Sequence, residues 1–136
     1  MVELDVKQQV LVAIYTECQR DLPDMKSVKA DVIGIPITQI FVALDKLENE
    51  GLINGVKFVR GDNGAVPIMA VAYDAKMTSF GIDYVEKKLS IEKTLSAKEK
   101  VEKVITETGK FGFEQLKDFG AKVVAEIAAK ATGISR

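Results

Sequence analysis

The sequence predicts a mostly helical fold with one small β-hairpin, and three observations support that prediction. Several segments repeat apolar residues at the 3.6-residue spacing of amphipathic helices. The stretch between residues 53 and 73 instead has the composition of two strands around a glycine-containing turn. With 136 residues, 47% of them hydrophobic, the chain is long and apolar enough for one domain with its own core.

The first predicted helix spans residues 5–20 and ends before Pro23, because the residue preceding a proline disfavours helical backbone. Its apolar stripe has four members at helical spacing: Val10, Leu11, Ile14 and Cys18. Polar residues are expected on its other faces: Gln8, Gln9, Thr16 and Gln19. Since Cys18 completes the stripe, we expect it to be a buried structural thiol. A shorter helix is predicted over residues 24–32, with Gly34 at its end.

The clearest helical stripe in the chain follows Pro36, a residue that suits the first turn of a helix. The stripe has five members: Ile37, Ile40, Phe41, Leu44 and Leu47. The opposite face of the same helix has six: Thr38, Gln39, Val42, Asp45, Lys46 and Asn49. Gly51 is placed to end this helix in a left-handed conformation, with Leu52 folding back on the last turn.

A hairpin and another helix are predicted next. Residues 53–59 and 68–73 are rich in β-forming side chains, and the turn sequence GDNG between them contains the Asn-Gly pair favoured in tight hairpins. Pro67 fits the start of a strand. Thr78 is a predicted N-cap for a helix that contains Gly81. Because glycine inside a helix costs about 1 kcal/mol relative to alanine, we expect Gly81 to allow close approach of another segment.

The chain changes character after residue 90, which predicts a domain of residues 1–90 and a C-terminal helical extension of residues 91–136. The sequence SAKE at residues 96–99 is a capping box that opens one helix. A last helix is predicted from about residue 113 to 131, with a stripe proposed for oligomerisation: Leu116, Gly120, Val123, Val124, Ile127 and Ala131. We expect a homodimer through this stripe, with back-packing onto the domain as the alternative. A membrane-surface helix is disfavoured because acids alternate with the lysines.

Three helices, a two-stranded hairpin and a further helix are the elements of a winged helix-turn-helix domain, in that order. The segments LENEGLINGVKF (Leu47 to Phe58) and MTSFGIDYVEKKL (Met77 to Leu89) resemble the YjcQ-like family of small winged-helix proteins of bacteria and their phages. The shared elements are a Leu-x-x-Glu-Gly turn into a strand and a Thr-x-x-Gly-x-x-Tyr helix start, here Thr78, Gly81 and Tyr84. The resemblance covers about residues 5–90. It implies the fold, and DNA binding only by analogy with that fold.

Composition excludes several classes of chemistry. The chain has no His and a single Cys, so it has no Cys/His zinc site, Ser/His/Asp triad, Cys/His pair or disulfide framework. Neither glycine of the GDNG turn is followed by the Lys-Ser/Thr pair of a phosphate loop. We therefore expect no catalysis, no cofactor and no metal. The charged, amphipathic start of the chain and its short uncharged runs predict a cytoplasmic protein with no membrane span.

The fold suggests a hypothesis of double-stranded DNA binding, with the helix after Pro36 in the major groove and the hairpin on the backbone. The hypothesis names seven residues: Thr38, Gln39, Val42, Lys46, Asn49, Lys57 and Arg60. Charge opposes it, because residues 1–88 contain ten bases and thirteen acids and phosphate neutralisation dominates affinity for DNA. On that helix Lys46 is outnumbered by Asp45, Glu48 and Glu50. The alternative is a protein-interaction or assembly adaptor that uses the same face without binding DNA.

Overall fold

The computed structural model describes residues 3–19, 35–61, 64 and 67–108, and it confirms a mostly helical fold with a small antiparallel hairpin. The helices are α1 (Val6–Cys18), α2 (Ile37–Asn49), α3 (Ser79–Lys88) and α4 (Ala97–Thr108). The strands are β1 (Ile53–Asn54), β2 (Lys57–Arg60), β3 (Pro67–Val71) and β4 (Lys76–Met77). The predicted helix at 24–32 and the predicted C-terminal stripe lie outside the described residues.

Helix α1 lies at the centre of the fold. Its start is a capping box, in which the Gln8 backbone N–H donates to Asp5 Oδ1 at 2.8 Å and the Asp5 N–H donates to Gln8 Oε1 at 3.0 Å. Each residue from Val10 to Glu17 is buried, so the prediction of a single apolar stripe with Thr16 on a polar face was wrong. The reason lies in the tertiary structure: α1 is packed against α2, α3, α4 and β4, so no side of this stretch faces solvent. Cys18, near its end, is half-buried against the core.

Helix α2 buries four residues of one side against α1 and the strands: Ile40, Ala43, Leu44 and Leu47. The first residue of the predicted stripe, Ile37, is 49% exposed. The helix ends as predicted at Gly51, whose φ is 77°. The Leu52 N–H donates to the Leu47 carbonyl and the Gly51 N–H to the Glu48 carbonyl, each at 3.0 Å, which is the Schellman arrangement.

The wing consists of two consecutive antiparallel ladders on one hairpin. At its base β1 pairs with β4, and towards its tip β2 pairs with β3, starting at Pro67 as predicted for a strand start. The two ladders are separated at Gly55, which has a φ of 86°. A Cβ atom added there would lie 3.0 Å from the carbonyl carbon of Asp74 and closer still to its oxygen, so only glycine fits. At the tip the Gly64 N–H donates to the Gly61 carbonyl at 2.9 Å, within the predicted turn.

The two sequence elements of the family resemblance contact each other. Thr78 caps α3 by accepting from the Gly81 N–H at 2.9 Å, and its hydroxyl donates to the Gly51 carbonyl at 2.6 Å. A Cβ atom at Gly81 would lie 2.9 Å from the carbonyl carbon of Leu52 and would overlap its oxygen, which confirms the predicted close approach. The Leu-x-x-Glu-Gly turn and the start of α3 therefore form one joint that holds the wing base.

Helix α4 packs on this domain through Val101 and Val104, both 0% exposed, and the link before it buries Ile91. Its predicted capping box is present, since the Glu99 N–H donates to the Ser96 hydroxyl oxygen at 3.2 Å. The division of the chain at residue 90 stays a prediction, because most of residues 91–136 lies outside the described part. None of the helices in the described ranges is both long and apolar enough to cross a bilayer.

Candidate nucleic-acid interface

The outward side of α2 forms one wall of a shallow groove of about 360 Å³, and the start of α1 forms the other. Among the described residues, seven line the groove: Val6, Lys7, Thr38, Gln39, Val42, Ala43 and Lys46. Four of the seven residues predicted to contact DNA are therefore neighbours in space. Their polar ends are accessible, since Thr38, Gln39 and Lys46 are exposed, while Val42 is half-buried in the apolar floor. We define these four as the α2 face.

The remaining predicted residues do not join the α2 face. Asn49 is exposed at the end of α2. Lys57 is exposed on β2 opposite Val71, on the side of the wing that faces away from α2. Arg60 lies close to α2 but is held there by an acid of that helix. The structure thus separates Lys57 from the helix and brings Arg60 to it.

Arg60 forms a two-pronged ion pair with Asp45. Its Nη2 lies 2.8 Å from Asp45 Oδ1 and its Nη1 lies 3.2 Å from Oδ2, while its guanidinium carbon lies 5.3 Å from the centre of the Phe58 ring. The hydrogen bonds from Arg60 lower the pKa of Asp45, and the same bonds raise the pKa of Arg60. Both groups are partly exposed, so the contact links the wing to α2 without burying a charge.

The other two acids of this region are also engaged. Lys7 Nζ lies 2.7 Å from Glu50 Oε2, and this hydrogen bond raises the pKa of Lys7. Glu48 Oε2 accepts a hydrogen bond from the backbone N–H of Val56 at 3.1 Å, so its carboxylate is bound to the segment between β1 and β2. Lys46 forms no ion pair with any residue in the described ranges. The negative charge that made α2 a poor partner for phosphate is thus balanced by Lys7 and Arg60, which lie outside the helix.

The chemistry available on the α2 face is hydrogen bonding and apolar contact. The hydroxyl of Thr38, the amide of Gln39 and the ammonium group of Lys46 surround an apolar floor. That floor consists of Val6, Val42 and Ala43. Within the part of the chain that the structure describes, no three metal-ligating side chains converge. Such a surface is suited to recognition of a macromolecule. Sequence reasoning missed the part played by Val6 and Lys7, because only the packing of α1 beside α2 brings them to this surface.

Sequence reasoning also missed a buried charged cluster on the other side of α1, which is structural. Glu86 is 3% exposed and accepts from the Tyr15 hydroxyl, from Lys100 Nζ and from Lys93 Nζ, each at 2.9 Å. Lys93 also pairs with Asp83. Burial by itself would raise the pKa of Glu86, but these hydrogen bonds outweigh it and hold the pKa below its usual range. One signal was available: Glu86 lies four residues after Ile82, on the apolar side of α3.

The chain matches a known protein family. The family model described as YjcQ protein matches residues 9–105, which is more than half of the 136-residue chain. The match includes most of α1, all of α2, the wing and α3, and most of α4. Comparisons with curated proteins and with solved structures gave no significant match.

Proposed function

We propose that this chain, which belongs to the YjcQ family, is a cytoplasmic regulatory protein that binds double-stranded DNA and acts without catalysis. The observation that carries the proposal is the α2 face, a set of exposed polar side chains around the half-buried Val42 on the helix that precedes a wing. The pairing of Asp45 with Arg60 and of Glu50 with Lys7 also supports it, because it reduces the repulsion between α2 and phosphate.

In this proposal α2 enters the major groove, whose width accommodates one helix. The amides of Gln39 and Asn49 pair with adenine edges, Val42 contacts a thymine methyl group, and Thr38 donates or accepts at a base edge. Lys46 neutralises a phosphate. The four polar side chains with these roles are exposed along α2, and Val42 is half-buried beside them.

The wing supplies the backbone contacts. Lys57 is already exposed and can meet a phosphate directly. Arg60 reaches a phosphate only by leaving Asp45, so its contact with DNA exchanges one charge-assisted hydrogen-bond partner for another. The exchange makes Arg60 a weaker contributor than its charge alone suggests.

A homodimer completes the proposal. Two copies joined through the C-terminal stripe defined above would place two α2 helices at a fixed spacing, as a palindromic site requires. That stripe lies outside the described residues, so this part rests on the sequence pattern alone.

The test is a fluorescence-anisotropy and gel-shift titration of the full chain against fragmented genomic DNA at about 50 mM and about 200 mM salt. We expect binding at low salt that weakens steeply at the higher concentration. Lys46→Gln should lower affinity and reduce the salt slope by about one unit, because one phosphate contact is lost. Lys88→Gln, an equally conservative change of an exposed lysine on α3, is the matched control. Absence of any retardation at low salt would remove the DNA proposal.

A protein-interaction adaptor is the second candidate. The observation that favours it is the apolar floor of the groove, which can accept side chains of a partner helix. The two candidates differ in their response to salt, because apolar docking lacks the steep loss of affinity that counterion release produces.

A further inference from the structure

The side of the wing that faces away from α2 is unusually apolar. The register places Val59 directly opposite Met69 and Lys57 directly opposite Val71, so these side chains share one face of the hairpin. Val59 is 50% exposed, Met69 51% and Val71 37%. We call Val59, Met69 and Val71 the outer wing face.

Two further exposed apolar residues flank this face. Ile68 at the tip is 64% exposed and Tyr73 beyond the end of β3 is 63% exposed. Among the described residues, five of the seven large apolar side chains that are exposed therefore lie in the wing. The concentration matters because single exposed apolar side chains are ordinary, whereas a cluster marks an interaction surface.

The opposite side of the hairpin needs no additional partner. Phe58, Ala70 and Ala72 pack against the core, and Arg60 is tied to Asp45 of α2. An antiparallel hairpin covered on one side normally carries polar side chains on the other. Here the uncovered side is the apolar one, apart from Lys57 at its edge.

We propose that the outer wing face is a self-association surface, and that its partner is the same face on a second copy of this chain. Charge argues against nucleic acid as the occupant, because Lys57 is the only charged side chain among the paired outward positions of β2 and β3. A second copy supplies an uncharged apolar surface of equal size. Contact about a two-fold axis then pairs the patch with itself, which is the commonest way in which identical chains associate.

The size of the patch indicates how strong this association is. The three side chains of the outer wing face, together with the flanking Ile68 and Tyr73, expose apolar surface on the order of 400 to 500 Å², in the upper range for a monomer. Counted on both copies, this approaches about 1,000 Å², the lower limit for specific interfaces. The dimer is therefore weak and reversible. The long stem of Lys57 can lie across the rim while its ammonium group stays in water.

The proposal does not depend on DNA binding, because none of the three residues of the outer wing face is among the seven proposed to contact DNA. It also differs from the dimer through the C-terminal stripe, and the two make different predictions for substitutions. If both contacts form, chains with two association surfaces assemble beyond dimers.

Sedimentation velocity of the full chain between about 1 μM and about 1 mM tests the proposal. We expect reversible dimerisation of the wild type and an association at least about tenfold weaker for Met69→Glu, because a carboxylate replaces a thioether that the proposed dimer would bury. Phe80→Glu is the matched control, since Phe80 is 62% exposed on α3 and should leave association unchanged. Circular dichroism of both variants verifies folding, and Val59→Lys is the second variant should Met69→Glu misfold.

Val123→Glu, within the predicted C-terminal stripe, distinguishes the two surfaces. Retention of the weak dimer in this variant, with loss in Met69→Glu, supports the outer wing face. Loss in Val123→Glu alone shows that the chain associates through its C-terminal segment and overturns the proposal. A wild type that stays monomeric over the whole range also overturns it, because the face is then covered within one chain or reserved for a different partner.

Discussion

Substitution of Glu86 by glutamine tests the buried charged cluster that joins α1, α3 and α4. The change keeps the shape of the side chain and removes its charge. In the wild type two ammonium groups lie 2.9 Å from the carboxylate oxygens, together with the hydroxyl of Tyr15. The Glu86 carboxylate is 3% exposed, whereas Lys100 is 16% and Lys93 62% exposed. When the Glu86 charge is removed, water can therefore solvate the ammonium group of Lys93 fully but that of Lys100 only in part.

The expected cost follows from these distances and exposures. At an effective dielectric constant of about 20, opposite unit charges 2.9 Å apart attract by about 6 kcal/mol. Desolvation of the carboxylate and of Lys100 offsets much of this, so the cluster adds little net stability compared with an apolar replacement. Removal of one partner is different, because the other charge stays buried. We expect Glu86→Gln to lower the free energy of unfolding by about 3 to 5 kcal/mol.

Two lysine variants give the internal comparison. Lys100→Met keeps the aliphatic stem and should cost about 1.5 to 3 kcal/mol, the usual range for a hydrogen bond to a charged group. Lys93→Met makes the same chemical change at an exposed position and should cost about 0.2 to 1 kcal/mol. Urea unfolding at pH 7 and 25 °C, with the slope compared between variants, measures all three. Equal losses for the two lysines, or a loss below about 1 kcal/mol for Glu86→Gln, would refute the reasoning from burial.

Three further predictions concern the same domain. Acid should destabilise the wild type through Glu86, because folding lowers the pKa of this carboxyl group. Its contribution to the free energy of unfolding is complete above the usual pKa of about 4.5 and is lost as the pH falls through the pKa of the folded state. The pH dependence of unfolding measured for Glu86→Gln should lack this contribution. Gly81→Ala should lower the free energy of unfolding by more than about 3 kcal/mol, because the added Cβ would overlap the backbone carbonyl of Leu52. Gly61→Ala is the control: its added Cβ would lie 3.6 Å from a side-chain atom of Ile68, so the melting temperature should hardly change. Thr78→Val should lower the free energy of unfolding by about 1 to 2 kcal/mol, because the hydroxyl that caps α3 is lost. Thr78→Ser keeps the hydroxyl and should cost much less. Similar melting temperatures for the two variants would show that the hydroxyl does not matter.

The elements of this protein were largely predictable from its sequence, because the interactions that define them are local. The predicted capping box at Ser96 joins two residues only three positions apart, and the left-handed Gly51 follows directly from the end of the α2 pattern. Gly81 could be recognised as a close approach because it is unfavourable inside a helix. The expectation for α1 failed because periodicity reports one apolar face and cannot show that a helix is surrounded.

The candidate site was predictable only in part. The residues of the α2 face share one side of one helix, so helical geometry placed them together. The state of the charges was not predictable, since Asp45, Glu48 and Glu50 all find partners outside α2. The apolar outer wing face was also hidden, because composition marks a strand as apolar without saying which of its faces is covered.

By itself, the sequence determined the four helices of the described residues, the helix end at Gly51, the caps at Thr78 and Ser96, the close approach at Gly81, and the family. All of these depend on residue types within a few positions of each other. Only the tertiary structure decided which side chains meet across the fold. Lys7 contacts Glu50 across 43 positions, and Tyr15 contacts Glu86 across 71. Contacts at such separations depend on how the helices and the wing pack, so no local pattern encodes them. The charge balance of α2 and the exposure of the outer wing face are consequences of that packing.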